Sequence, residues 1–167
     1  MKLAILSDSH DNLTNLQKAC HWLNEQGIKI MIHCGDLASR ETIIELSRIY
    51  QGQVYLVFGN MDRDYVTREE IKKLGLKNIH VFNAFGEVQF NGYQIAFSHH
   101  PGPAKKLVES GKYNFVFYGH THKPWLEKIG QCQLVNPGNL AGQIYQATFA
   151  VYDLDSGKLE LKILEKM

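Results

Sequence analysis

The sequence contains few cysteines, and they lack the spacing that would indicate a covalent or metal framework. Cys20, Cys34 and Cys132 are the only cysteines among 167 residues, and none belongs to a C-x-x-C pair. An odd count without such a pair predicts neither a disulfide framework nor a zinc knuckle. This cysteine usage is typical of a reducing compartment, and we therefore expect a cytoplasmic protein.

Long apolar runs and an excess of one charge are also missing. No apolar stretch approaches the ~20 residues of a membrane span, and Asp8 comes too early for a secretory signal. The 18 Lys+Arg residues nearly balance the 17 Asp+Glu residues, which gives no electrostatic case for a nucleic-acid or membrane-surface partner. Repeats, linkers and low-complexity segments are absent as well, so we expect a single globular domain over residues 1–167.

The order of apolar patterns predicts an α/β chain that becomes mostly β. The first half alternates strands with helices over about 12–26, 39–50 and 67–74. The second half contains short strands and one short helix over about 103–110, after two prolines. Continuous apolar runs are typical of buried parallel strands, and the alternating later runs of antiparallel ones. We therefore expect two packed mixed sheets with helices outside them.

Five apolar runs each end in a cluster of polar residue types that bind metals. The endings are Ser7-Asp8-Ser9-His10, His33-Cys34-Gly35-Asp36, Gly59-Asn60-Met61-Asp62, Ser98-His99-His100 and Gly119-His120-Thr121-His122. Ligands of open α/β sheets bind just beyond the carboxyl ends of the strands. Five such endings in one chain predict a single site.

Seven residues in these endings are candidate metal ligands: Asp8, His10, Asp36, Asn60, His99, His120 and His122. Residues i and i+2 of an extended backbone share a face, which would let Asp8 and His10 reach one ion. Seven ligands suffice for two ions, and the Asp36 carboxylate could bridge them. Imidazole and oxygen ligands without thiolate favour Mn²⁺, Fe or Zn²⁺, and Ni²⁺ is a further alternative. Two such ions can activate water for attack on a phosphoryl group.

The ordered set D-x-H, G-D, G-N-x-[D/E], H and G-H-x-H resembles the calcineurin-like metallophosphoesterases. It is most similar to their small single-domain branch, the YfcE-like phosphodiesterases. The resemblance implies a four-layer αββα sandwich and hydrolysis of phosphate esters by a hydroxide that bridges two divalent ions. Among the candidate metals we expect Mn²⁺. It implies that the first ion is held by Asp8, His10 and His122, the second by Asn60, His99 and His120, and that Asp36 bridges them.

Two positions depart from the family pattern. Many larger relatives carry a histidine where this chain has Met61, and a thioether cannot donate a proton to a leaving group. The family usually has glycine where this chain has His100, so one hypothesis gives His100 a catalytic role as a proton donor or phosphate contact. The alternative is a partly exposed loop histidine, since Pro101 restricts His100 to extended backbone that points it away from His99.

Three neighbouring residues are assigned indirect or peripheral roles. We expect Asp62 to orient the ligands rather than to bind metal. Arg63 is a candidate substrate contact, with a solvated loop charge as the alternative. His33, at a strand end, is expected to be a buried, hydrogen-bonded histidine.

The sequence leaves a second class of function open. A retromer subunit resembles the same branch and works through protein contacts, so a non-catalytic scaffold is the alternative to an enzyme that acts on a small phosphate ester. A scaffold has no need for all seven candidate ligands, and none is missing here. A single-metal protein would leave Asn60 and His99 without roles. Homo-oligomerisation stays open.

Overall fold

The computed structural model describes residues 1–62 and 67–167. The strands, in chain order, are β1 (Lys2–Leu6), β2 (Ile30–His33), β3 (Gln53–Val57), β4 (Ile79–Phe82), β5 (Phe85–Phe90), β6 (Tyr93–Ser98), β7 (Phe115–Phe117), β8 (Trp125–Ile129), β9 (Cys132–Asn136), β10 (Thr148–Asp153) and β11 (Lys158–Ile163). The helices are α1 (Leu13–Glu25), α2 (Arg40–Ile49), α3 (Arg68–Lys73) and α4 (Pro101–Glu109), and a short 3-10 helix covers Leu164–Lys166.

The described strands form two mixed sheets. The first has the order β11-β10-β1-β2-β3-β4, in which β1, β2, β3 and β4 are parallel neighbours and β10 and β11 are antiparallel. The second has the order β5-β6-β7-β9-β8, in which β6, β7 and β9 are parallel. The five apolar runs that lead to the polar endings each belong to a parallel pair, as predicted, and both of their faces are covered.

Three buried clusters hold the layers together. The inner faces of the two sheets meet through Leu3, Ile5 and Ile32 on one side and Phe97 and Phe117 on the other. Helices α1 and α2 cover the outer face of the first sheet, and α4 covers the outer face of the second. The predicted αββα sandwich of two mixed sheets is confirmed.

Local sequence signals explain where the helices begin. Asn12 accepts a hydrogen bond from the Asn15 amide at the start of α1, and Ser39 accepts one from Thr42 at the start of α2. Helix α3 begins with a capping box of Thr67 and Glu70. These side chains satisfy amides that the first turn of a helix leaves unpaired.

Helix α4 corrects one predicted boundary. It begins at Pro101 rather than near residue 103, and His100 is its N-cap residue. Proline is well suited to the first turn, since an amide hydrogen at that position would have no partner within the helix. The start of α4 therefore follows directly after the fourth polar ending. Among the described residues, no helix is long and apolar enough to cross a membrane.

Candidate metal centre

The first cluster of candidate ligands consists of Asp8, His10 and His122. The Nε2 atoms of the two histidines lie 3.2 Å apart, and Asp8 Oδ1 lies 3.8 Å from His10 Nε2 and 3.4 Å from His122 Nε2. Asp8 is fully buried, and its Oδ1 atom has no hydrogen-bond partner among the described residues. A buried carboxylate oxygen that faces two imidazoles without a partner is well placed to bind a cation.

The second cluster contains Asn60, His99 and His120. Asn60 Oδ1 lies 3.0 Å from His99 Nε2 and 3.1 Å from His120 Nδ1, and the two ring nitrogens are 3.3 Å apart. His99 is buried, whereas Asn60 and His120 are exposed at the mouth of the site. Ligands about 2.0–2.2 Å from one ion lie within about 4.4 Å of each other, so both clusters have the spacing of single-ion sites.

Asp36 lies between the two clusters. Its Oδ2 atom is 3.3 Å from His99 Nε2 and 3.9 Å from His10 Nε2, and its Oδ1 atom accepts a 2.8 Å hydrogen bond from the Met61 amide. One carboxylate oxygen therefore faces both groups of imidazoles. This is the arrangement that a bridging ligand requires.

Electrostatics make this site favourable for positive charge. Burial acts to raise the pKa of Asp36, but the nearby His99 imidazole, the Met61 amide and His10 together hold that pKa below its usual value. Burial acts to lower the pKa of His99, yet Asp36 and Asp8 raise it overall. The nearby Asp8 carboxylate raises the pKa of His122. The carboxylates thus attract protons to the imidazoles, as they would attract metal cations.

The backbone at the ligands differs from the extended conformation expected from the sequence. Five of the seven candidates have positive φ: 54° at Asp8, 42° at His10, 58° at Asp36, 68° at His120 and 59° at His122. The i, i+2 argument for Asp8 and His10 was therefore wrong, although their side chains do meet. Left-handed turns bring them together, and Asp and His tolerate this region better than most residues.

Three glycines allow the loops to approach closely. A Cβ atom at Gly59 would lie 2.0 Å from Asp36 Oδ1, and one at Gly119 would lie 1.8 Å from Ser7 Oγ. A Cβ atom at Gly35 would lie 2.7 Å from the Gly59 amide nitrogen, and Gly35 itself has a φ of 98°. Any larger residue would therefore displace a candidate ligand or its loop.

Asp62 joins two of the loops from behind the ligands. Its carboxylate accepts hydrogen bonds from the Asp36, Ala38 and Gly59 amides, each 2.7 Å long. Burial raises the pKa of Asp62 in spite of these three donors. Its position fits the orienting role that we expected for it.

His33 is buried among the ligand loops, as the sequence indicated. Its Nδ1 atom accepts a 3.3 Å hydrogen bond from the Gly35 amide, and its Nε2 atom is 3.3 Å from Ser9 Oγ. Burial lowers the pKa of His33 to about 4. The neutral ring with its proton on Nε2 can satisfy both partners.

Asn136 and Asn139 support the last ligand loop, which the sequence argument missed. Asn136 Nδ2 donates to the Gly119 carbonyl at 2.9 Å and to Thr121 Oγ1 at 3.0 Å. Asn139 Nδ2 donates to the His122 carbonyl at 3.3 Å. Since β9 runs parallel to β7, it also ends at this edge of the sheet. The rule that selected the five endings would have found Asn136 if β9 had been placed beside β7.

His100 lies beside the second cluster rather than away from it. Its backbone is extended, as Pro101 predicts, with φ −86° and ψ 147°. Its ring centroid is nevertheless 4.8 Å from that of His99 and 4.4 Å from that of His120. The expectation that an extended backbone separates His100 from His99 was therefore wrong, because side-chain rotation brings the ring back towards the site. Arg63 lies outside the described residues.

A family model for the calcineurin-like phosphoesterase superfamily domain matches residues 1–157. A curated relative, a phosphodiesterase of Methanocaldococcus jannaschii, is 30% identical over 99% of this chain and 100% of its own length. The solved structure of an archaeal phosphodiesterase is 27% identical, has a TM-score of 0.88, and is matched over 98% of this chain and 99% of that one.

More distant solved structures share the fold. The phosphoesterase Yfce of E. coli has a TM-score of 0.70 at 18% identity, over 98% of this chain and 100% of that one. Vps29 of Chaetomium thermophilum has a TM-score of 0.69 at 14% identity, over 98% of this chain and 94% of that one. Identities this low establish the architecture alone. The family match and the full-length relative go further: this chain belongs to the calcineurin-like phosphoesterase superfamily.

Proposed function

We propose that this chain is a phosphodiesterase that depends on two divalent transition-metal ions, with Mn²⁺ as the proposed metal and Zn²⁺, Fe or Ni²⁺ as the alternatives. The observation that carries the proposal is the position of Asp36, whose Oδ2 atom faces His99 at 3.3 Å and His10 at 3.9 Å. A carboxylate shared by two imidazole clusters has the geometry of a two-metal site. The full-length similarity to an archaeal phosphodiesterase supports the choice of reaction.

The ligands divide into two sets. Asp8, His10 and His122 would hold one ion, Asn60, His99 and His120 would hold the other, and Asp36 would contact both. Imidazole and oxygen donors without thiolate suit Mn²⁺, Fe and Zn²⁺. When bound, two such ions lower the pKa of water and neutralise charge on the phosphoryl oxygens, which is the chemistry that phosphate-ester hydrolysis requires.

The residues at the mouth of the site favour particular leaving groups. The Met61 amide donates to Asp36, and the residue is 41% exposed. A thioether cannot protonate a departing oxygen. Residue 61 therefore does not provide general-acid catalysis, which typically increases the rate by ~10²–10⁴. We therefore propose small phosphate diesters with a stable leaving group, such as aryl esters, as the preferred substrates.

The proposal also covers a substrate contact, the cellular location and the extent of the domain. Arg63 stays a predicted contact to the substrate phosphate. A cytoplasmic location agrees with the three cysteines, which are buried free thiols. We also keep the predicted single domain over residues 1–167; the family match over residues 1–157 and the packing of Leu164 in the buried cluster of the first sheet support it.

The direct test measures hydrolysis of bis-(4-nitrophenyl) phosphate and 4-nitrophenyl phosphate after addition of Mn²⁺. We expect metal-dependent turnover with a preference for the diester, and loss of turnover in Asp36→Ala. His21→Ala is the matched control, because His21 is an exposed histidine on α1. Absence of metal-dependent turnover in the wild type would contradict the proposal.

The alternative is a scaffold on the same fold, as in the retromer-like interpretation. The fold alone is compatible with it, because Vps29 has a similar architecture. However, a scaffold gains nothing from the buried, unpartnered Asp8 oxygen or from the strained backbone of the ligand loops. The enzyme is therefore the better-supported function.

A further inference from the structure

A third imidazole lies close to the second cluster. His100 follows His99 directly, and its ring contacts the rings of both His99 and His120. The ligand nitrogens of His99, His100 and His120 all lie within 4.8 Å of one another. The wider family usually has glycine at the position of His100. The third imidazole therefore distinguishes this chain from the family pattern.

This spacing is close to what one ion imposes on its ligands. Imidazole nitrogens bind transition metals at about 2.0–2.1 Å, so two nitrogens on one ion are at most about 4.2 Å apart. The observed separations require shifts of only a fraction of an ångström. His100 is partly exposed, which leaves its ring room to make that adjustment.

The backbone of His100 is held firmly while its side chain faces the cluster. The His100 carbonyl accepts hydrogen bonds from the Ala104 amide and from Ser98 Oγ, both 3.2 Å long. Pro101 fixes the first turn of α4. A ligand presented from such a rigid frame loses little conformational entropy when it binds a metal.

We propose that His100 is an additional ligand of the second ion, an inference that rests on the proposed two-metal site. The second ion would then be bound by three imidazoles with Asn60 and Asp36, and the first by two imidazoles with Asp8 and Asp36. Imidazole suits Zn²⁺, Fe and Ni²⁺, whereas oxygen-rich sites suit Mn²⁺. The second position therefore binds a given transition-metal ion more tightly than the first.

The experiment titrates metal-free protein with Co²⁺ and follows binding by visible absorption and equilibrium dialysis. We expect the wild type to bind two ions. In His100→Ala the affinity of the second position should fall by at least about tenfold, while the affinity of the first position stays unchanged. His21→Ala should match the wild type. His99→Ala, which removes a ligand of the underlying site, should lose the second ion.

Different outcomes separate this inference from the proposed function. If His99→Ala loses the second ion while His100→Ala binds it with wild-type affinity, the site stands and the role of His100 is overturned. If the wild type binds fewer than two ions, the two-metal site fails and the inference fails with it.

A spectroscopic measurement covers the case in which His100→Ala folds poorly. Proton NMR of the Co²⁺ protein shows shifted signals from the N–H groups of coordinated imidazoles. His100→Gln, which keeps a polar side chain of similar length, should lose one such signal while His21→Ala keeps them all. An unchanged set of shifted signals in His100→Gln would overturn the proposal.

Discussion

Close backbone contacts at single residues decide whether the ligands can meet. Five candidate ligands have left-handed φ angles between 42° and 68°, a conformation that costs of order 1–3 kcal/mol at a non-glycine residue. The glycines beside them prevent further strain. The strain and the unpartnered Asp8 oxygen occur together at one place, which is typical of a functional site.

Gly59 offers the sharpest test of this packing. In Gly59→Ala the new methyl group would lie 2.0 Å from Asp36 Oδ1, so Asp36 must move away from one or both clusters. We expect Mn²⁺ affinity to fall by about tenfold or more, measured by calorimetric titration. Gly102→Ala is the control, because its Cβ would meet no atom within 4 Å; equal affinity in the two variants would refute this explanation.

His33 predicts a pH dependence of stability. Its pKa is about 4 in the folded protein and about 6.5 when unfolded, so the unfolded state binds the proton more readily. Above pH ~6.5 the ring is neutral in both states and the folded protein is most stable with respect to this group. As the pH falls from ~6.5 towards ~4, protonation of the unfolded state lowers the free energy of unfolding.

The measurement is urea unfolding of metal-free protein at pH 7 and pH 4. Between pH 7 and pH 4 the free energy of unfolding should fall by about 3 kcal/mol more in the wild type than in His33→Asn, because asparagine does not titrate in this range. Parallel pH profiles for the two proteins would show that His33 is not the group responsible.

Loops between elements connect the two sheets at the site. The Asp8 amide donates to the Gly35 carbonyl at 2.9 Å, the His10 amide to the Asp36 carbonyl at 3.0 Å, and the His120 amide to Asp8 Oδ2 at 3.0 Å. The first and second bonds join loops of the first sheet, and the third joins the two sheets. The ligand loops thus stabilise one another before any metal binds.

Asp62 tests the connection between the β2–α2 and β3–α3 loops. Asp62→Asn would keep one oxygen but turn an NH₂ group towards amides that are themselves donors. We expect a loss of about 1–3 kcal/mol in unfolding free energy and weaker Mn²⁺ binding, measured by urea unfolding and metal titration. Glu109→Gln, at an exposed carboxylate in the last turn of α4, provides the comparison; similar losses in both would argue against the proposed role of Asp62.

The sequence predicted the elements well but not the geometry between them. Continuous apolar runs and capping residues define β1–β3 and α1–α3 because these signals are local. The left-handed turns at Asp8 and His10 depend on hydrogen bonds to residues on another strand, so no local pattern contains them. The same applies to the ring position of His100 and to Asn136, whose partner lies on the neighbouring strand.

At the scale of the whole molecule, the sandwich brings distant segments to one place. Asp8 and His122 are separated by more than half of the chain, yet their ligand atoms lie 3.4 Å apart. Phe97 and Phe117 of the second sheet pack against Leu3 and Ile5 of the first, and this buried core sets the distance between the two groups of loops. The metal centre is therefore a property of the assembled sheets rather than of any single motif.

The central claim is that these loops form one two-metal centre with a shared carboxylate. The most direct measurement is the number of Mn²⁺ ions per chain at saturation, determined by mass spectrometry of the dialysed protein for the wild type and Asp36→Ala. We predict two ions per chain in the wild type and fewer than two in Asp36→Ala. One ion per chain in the wild type, or two ions retained by Asp36→Ala, would contradict the claim.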